Sequence, residues 1–94
     1  AYVGTMALMG IGDAYMELKQ VDKGADYYMK AADRKKNEFI TPVALMKAGW
    51  AYEILGKNEE ALKVYQQIKN DYPRSTEARD IPKYIAKLEG LLKK

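Results

Sequence analysis

Residues 44–52 read ALMKAGWAY, and residues 7–15 read ALMGIGDAY. Six of the nine letters agree in place at an offset of 37 residues, and the pairs that differ are Gly10/Lys47, Ile11/Ala48 and Asp13/Trp50. A phrase stated twice in a chain of 94 residues marks an internal repeat. A period between about 20 and 50 residues points to stacked supersecondary units, none of which can bury its apolar face alone.

The same offset places Gly12 over Gly49, Leu18 over Leu55 and Tyr28 over Tyr65. Each copy reads as two helices. Leu8, Ile11, Gly12 and Tyr15 recur at helical spacing on one stripe, and Leu45, Ala48, Gly49 and Tyr52 repeat that stripe. A glycine in the interior of a helix costs about 1 kcal/mol relative to alanine, so close approach of a neighbouring helix is the expected reason for Gly12 and Gly49. The second helices carry Gly24, Tyr28 and Ala31, matched by Ala61, Tyr65 and Ile68. Tyr15, Tyr28, Tyr52 and Tyr65 are therefore expected in the interior, with Tyr27 and Tyr84 unassigned. Boundary residues agree: Thr41 is the expected N-cap with Pro42 at the first helical position. Gly56 is expected to end the helix in a left-handed conformation. Asn58 is expected to cap the next helix, whose first turn carries Glu59 and Glu60 against the helix dipole, and Tyr72-Pro73 closes it.

These residues resemble the tetratricopeptide repeat, a helix-turn-helix unit of about 34 residues. Leu45, Gly49, Tyr52, Gly56, Ala61, Tyr65 and Pro73 fit its pattern in the second copy, and Leu8, Gly12, Tyr15, Gly24, Tyr28 and Ala31 in the first. The resemblance covers residues 5–73. The first copy departs from it twice: Lys19 stands where Gly56 stands later, and the period runs three residues over, an excess placed at residues 36–40 in the turn between copies. Beyond Ser75, the apolar stripe Ile81, Tyr84, Ile85, Leu88 and Leu91 or Leu92 starts like another first helix and then ends. A terminal helix covering the last repeat is expected there, since stacked repeats need such caps. Pro82 either kinks it or marks its start near Asp80. The implied fold is an all-α, TPR-like helix-turn-helix solenoid in one domain over 1–94. It has repeats at about 5–38 and 42–73 and a capping helix at about 76–92, five helices in all.

The chain opens on Ala1 and enters a helical pattern almost at once, as a piece of a longer protein would. Its ending YPRSTEARDIPKYIAKLEG also resembles the C-termini of bacterial, envelope-associated tetratricopeptide proteins. That likeness implies the bacterial cell envelope or periplasm, reached through an upstream anchor, with the cytoplasm as the alternative. No run approaches the roughly 18 apolar residues of a membrane span, so no direct membrane contact is expected of this segment.

Composition narrows the chemistry. The chain has no Cys, no His and a single serine, Ser75. Thiolate nucleophiles, disulfides, the usual zinc ligands and a Ser-His-Asp arrangement are thereby excluded. The adjacent acids Glu59 and Glu60 point to different sides of a helix, and Asp13 with Glu53 would need a defined separation and a substrate cleft to act as a carboxylate pair. No enzymatic activity and no cofactor or metal are expected. A net charge of +3 is mild, and its short basic clusters, Arg34-Lys35-Lys36 and Lys93-Lys94, are spread along the chain. A nucleic-acid binder gathers such residues on one face, so no nucleic-acid partner is expected.

Tetratricopeptide domains are binding scaffolds whose first helices line a concave groove. Carried over by position, the groove residues implied here are Met6, Met9, Asp13 and Met16, then Val43, Met46, Lys47, Trp50 and Glu53. Spacing agrees independently, because Met6, Met9, Asp13 and Met16 share a helix face distinct from the Leu8–Gly12–Tyr15 stripe. Three readings of this Met-lined face stand open: packing against the chain's own helices or further upstream repeats, a groove for a partner peptide or helix, and a homodimer interface. Flexible thioethers suit adaptable apolar recognition, and Trp50 is the natural anchor. The clamp for C-terminal carboxylates found in some members of the family is not supported, because the corresponding places hold Met9, Asp13 and Lys47. The expected partner is apolar, with a basic group to meet Asp13 or Glu53.

Overall fold

Residues 4–93 are described by a computed structural model, in which helix follows helix through short turns. The order is α1 (Thr5–Glu17), α2 (Val21–Arg34), α3 (Thr41–Ile54), α4 (Asn58–Asp71), a 3₁₀ turn (Glu77–Arg79) and α5 (Ile81–Leu92). This is the all-α helix-turn-helix solenoid expected of the sequence, with the final segment split into the 3₁₀ turn and α5. Lys94, the last residue of the terminal basic pair, lies outside the described residues.

The two helix-to-helix turns within the repeats are built alike. After α3, the Lys57 N–H donates to the Tyr52 carbonyl at 2.8 Å and the Gly56 N–H to the Glu53 carbonyl at 3.0 Å, with Gly56 at φ +74°. This is the Schellman closure, which needs one left-handed residue. After α1, the Gln20 N–H reaches the Tyr15 carbonyl at 2.9 Å and the Lys19 N–H the Met16 carbonyl at 3.0 Å, with Lys19 at φ +61°. The departure at Lys19 therefore changes the strain of the turn and leaves its geometry intact.

Two caps differ from expectation. Thr41 is the first residue of α3 and is buried, with Pro42 one position further in. Asn37 does the capping: its carboxamide oxygen accepts from the N–H groups of Phe39 at 2.7 Å and Ile40 at 2.9 Å. The Thr41 hydroxyl oxygen accepts in return from the Asn37 N–H at 2.8 Å. The extra residues between the repeats thus form an Asn-capped turn leading into α3, and Thr41 is left with a different role. Asn58 likewise is the first residue of α4 and makes no capping bond. The Schellman closure runs directly into α4, and the Lys57 carbonyl already accepts from the Ala61 N–H at 3.0 Å. At the other end, Asp80 precedes α5 and Pro82 sits in its first turn, so the proline starts the helix and does not kink it.

Packing proceeds between chain neighbours, α1 on α2, α2 on α3, α3 on α4 and α4 on α5. Ala44, Leu45, Ala61, Val64, Tyr65, Ile68, Ile81, Ile85 and Leu88 join one buried cluster, to which α1 contributes Met9 and α2 contributes Ala31 and Ala32. Both stripe glycines are contact points. A Cβ on Gly12 would lie 2.6 Å from the Tyr28 ring, and one on Gly49 would lie 2.3 Å from the Tyr65 ring. The expected interior placement of Tyr28 and Tyr65 is met, whereas Tyr15 and Tyr52 are only half-buried. Ile11, expected on the packing stripe, is 37% exposed. Its counterpart Ala48 is fully buried in a cluster with Ala25 and Tyr28 of α2; among the described residues, α1 has no helix on that side.

Candidate functional site

The groove begins on α3. Val43, Met46, Lys47 and Trp50 line one cleft of about 270 Å³, whose remaining lining is Glu77 of the 3₁₀ turn, Thr76 and Asp80 on either side of that turn, and Tyr84 of α5. Trp50, one of its lining residues, is 47% exposed. Tyr84 is held by stacking on Tyr65 at 5.3 Å between ring centroids. That remaining lining was not read from the sequence, although a signal was present. The 37-residue offset puts Asp80 under Val43 and Tyr84 under Lys47, so α5 supplies the face that a third first helix would supply.

The α1 residues assigned to the groove are placed differently from one another. Met6 is exposed. Met9 and Met46 are each only 6% exposed, so they form floor and core more than wall. Met16 turns toward α2, where a Cβ on Gly24 would meet its sulfur at 2.7 Å. The Met-rich face is thus partly consumed by the chain's own packing, and its open part centres on α3 and α5.

Asp13 and Glu53 are engaged within the chain, which corrects the expectation that they await a partner's basic group. The Lys47 ammonium lies 3.0 Å from Asp13 Oδ1, and the Tyr28 hydroxyl donates a short hydrogen bond to the same oxygen. One repeat later, Lys87 Nζ lies 2.6 Å from Glu53 Oε1 and the Tyr65 hydroxyl donates to Glu53 Oε2 at 2.6 Å. Each relay joins an acid of a first helix, the tyrosine of its second helix and a lysine of the next first helix or α5. Burial raises the Asp13 pKa, but hydrogen bonds from Tyr28 and Lys47, with the Lys47 charge, outweigh it and hold the carboxyl below its ordinary value. The phenols of Tyr28 and Tyr65 are pushed well above the ordinary tyrosine value, first by burial and then by the carboxylate each one donates to. Both relays are only partly screened from water, so they fix geometry more than they add stability.

Tyr15 and Tyr27 are also engaged within the chain. Tyr27 stacks on Tyr15 at 5.5 Å, and Lys30 sits 4.4 Å over its ring. Among the described residues no group of three or more His, Cys, Asp or Glu could hold a metal ion, and no helix is long and apolar enough to cross a membrane.

Comparison with family profiles matches residues 7–38 and residues 43–75 separately, each to the tetratricopeptide repeat. The chain belongs to the tetratricopeptide repeat family. Repeats of this family are a non-catalytic fold that generally mediates protein–protein interaction, which supports a scaffold role for the chain. Comparisons with curated proteins and with solved structures found no match. The two matched tetratricopeptide repeats coincide with α1–α2 and α3–α4, and the second runs past α4 to Ser75, short of the 3₁₀ turn and α5 that complete the cleft.

Proposed function

We propose that the chain binds a partner peptide or helix in the cleft between α3 and α5, with Trp50 as its anchor. The supporting observation is the pairing of a half-exposed indole with Tyr84, Met46 and Val43 around one open cleft. Aromatic side chains in such settings dominate interface energetics, because they bury large area at little entropic cost. The relays hold Lys47 and the Tyr65–Tyr84 stack in place, so the cleft is formed before a partner arrives, which lowers the cost of binding. The test is selection of peptides from a random phage-displayed library on the immobilised chain, followed by fluorescence-anisotropy titration of fluorescein-labelled copies of the selected peptides, a readout that does not depend on Trp50. Trp50→Ala should weaken the selected peptides by about 2 kcal/mol, about thirtyfold in Kd, without changing the melting curve. Peptides that bind the variant equally well would remove Trp50 from the role.

A second reading concerns α1. Ala7, Ile11, Ala14 and Leu18 are open, whereas their counterparts Ala44, Ala48 and Ala51 are buried and Leu55 is partly buried. This favours a structural role in which a further helix, from a second copy or another repeat, covers α1. Light scattering over a tenfold concentration range distinguishes the cases: a dimer that Ile11→Lys dissociates supports self-association, and a monomer throughout argues against it.

A further inference from the structure

A second cleft adjoins the first. It measures about 510 Å³ and lies between the Asn37-capped turn and the α4–α5 connection, with Phe39, Tyr72 and Pro73 among its walls. Val43, Thr76 and Glu77 line both clefts, so the two share a boundary at the N-terminal end of α3. Phe39 is 83% exposed at its lip, the most open of the large apolar side chains among the described residues. Asn37 holds the backbone N–H of Phe39 at 2.7 Å, so the exposed ring is carried on a fixed turn. Residues 43–50 rise about 10 Å at ~1.5 Å per residue, the length of about three extended residues. The outer cleft accommodates the next few, which makes the whole channel a path for a short extended segment.

The charge of the channel runs against that of the chain. The protein carries +3 overall, yet the channel is rimmed by the carboxylates of Glu38, Asp71, Glu77 and Asp80. The cations that line it are Lys47 and Arg74, and Lys47 is already paired with Asp13. None of the four rim carboxylates makes an ion pair among the described residues. An acidic rim around apolar walls favours a ligand of the opposite sign and disfavours acidic ones by like-charge repulsion.

We infer that the two clefts form one site for an extended, basic segment of another protein. Its apolar side chains would seat at Trp50–Tyr84 and at Phe39–Tyr72, with Lys or Arg between them facing Glu77 and Asp80. This rests on the groove reading above and adds the partner's chemistry and the second anchor. The probes are synthetic copies of the library-selected peptides, labelled with fluorescein, each compared with a copy in which every Lys and Arg is replaced by Gln. Selected peptides should carry apolar residues interleaved with Lys or Arg, and the Gln copies should bind more weakly. The Glu77→Gln/Asp80→Asn double variant should lose up to about tenfold in affinity for the basic peptides, as expected of two rim charge pairs, and little for the Gln copies. Phe39→Ala should also weaken binding while leaving the fold unchanged, since the ring is almost wholly exposed. Selected peptides that depend on Trp50 but are acidic or neutral, or that ignore both Phe39→Ala and the rim variant, would overturn this inference and leave the groove standing. Failure to select any Trp50-dependent peptide would remove both.

Discussion

Gly49→Ala and Gly10→Ala make the same chemical change on equivalent helices, yet they should move stability in opposite directions. Within a helix, replacing glycine by alanine is worth about 1 kcal/mol in propensity. At Gly10 nothing lies within 4 Å of the added methyl and the site is exposed, so that gain should appear in full. At Gly49 the methyl would lie 2.3 Å from Cε1, 2.6 Å from Cζ and 3.0 Å from Cδ1 of Tyr65. That ring has little freedom to retreat. It is fully buried, its hydroxyl donates to Glu53 at 2.6 Å, and it stacks on Tyr84 at 5.3 Å. Overpacking of a fixed core side chain costs about 1–3 kcal/mol, and the distances here place the site toward the upper end of that range. The net expectation for Gly49→Ala is a loss of about 1–2 kcal/mol. For a domain of this size 1 kcal/mol shifts Tm by about 4–8 °C, so thermal and urea unfolding followed by far-UV circular dichroism separate the two variants readily. A Gly49→Ala protein as stable as Gly10→Ala would refute the reasoning, because it would mean that Tyr65 can move without cost. Gly49→Leu should be more damaging still, forcing the helices apart.

The turns and relays carry further expectations. Lys19→Gly should stabilise the chain by about 0.5–1 kcal/mol, since it relieves a left-handed backbone while freeing the unfolded chain somewhat; urea unfolding reads the shift. Asn37→Ala should cost about 1 kcal/mol through loss of the cap on the turn into α3, with a lower Tm as the readout. Stability should decline as pH rises above about 10, the ordinary tyrosine value. The folded phenols of Tyr28 and Tyr65 hold their protons there while the unfolded ones release theirs, so stability present below that pH is lost above it. A Tyr28→Phe/Tyr65→Phe protein, compared by urea titration across alkaline pH, should show a shallower decline. An unchanged slope would show that the two phenols titrate normally when folded.

Much of the fold was legible because the repeat writes its packing in letters. The Leu–Gly–Tyr stripe of the first helices repeats at a fixed offset, as does the tyrosine of the second helices between a small residue and an apolar one, and helical periodicity converts each stripe into a buried face. Glycine at 56 and proline at 42 and 82 punctuate the helices through their own backbone restrictions. Caps were less legible. Asn37 and Thr41 both have capping side chains, and only the path of the inter-repeat turn selects Asn37. Lys19 gave no sign of a left-handed residue, because the Schellman bonds of the turn impose that conformation on whichever residue stands there.

For the candidate site the division is sharper. The α3 side of the cleft, Val43, Met46, Lys47 and Trp50, was implied by the resemblance to the tetratricopeptide repeat, in which the residues on one face of a first helix are carried over by position along a single element. Tertiary structure decided which of the assigned methionines stay open, because burial of Met9, Met46 and Met16 depends on what the neighbouring helices place against them. It also decided that Asp13 and Glu53 are spent on Lys47 and Lys87, partners 34 residues away in each case. Finally, it brought Thr76, Glu77, Asp80 and Tyr84 into one cleft with Trp50. Spacing along one helix is local and survives in the sequence, whereas a cleft wall made by two separate elements exists only once the chain between them has folded back.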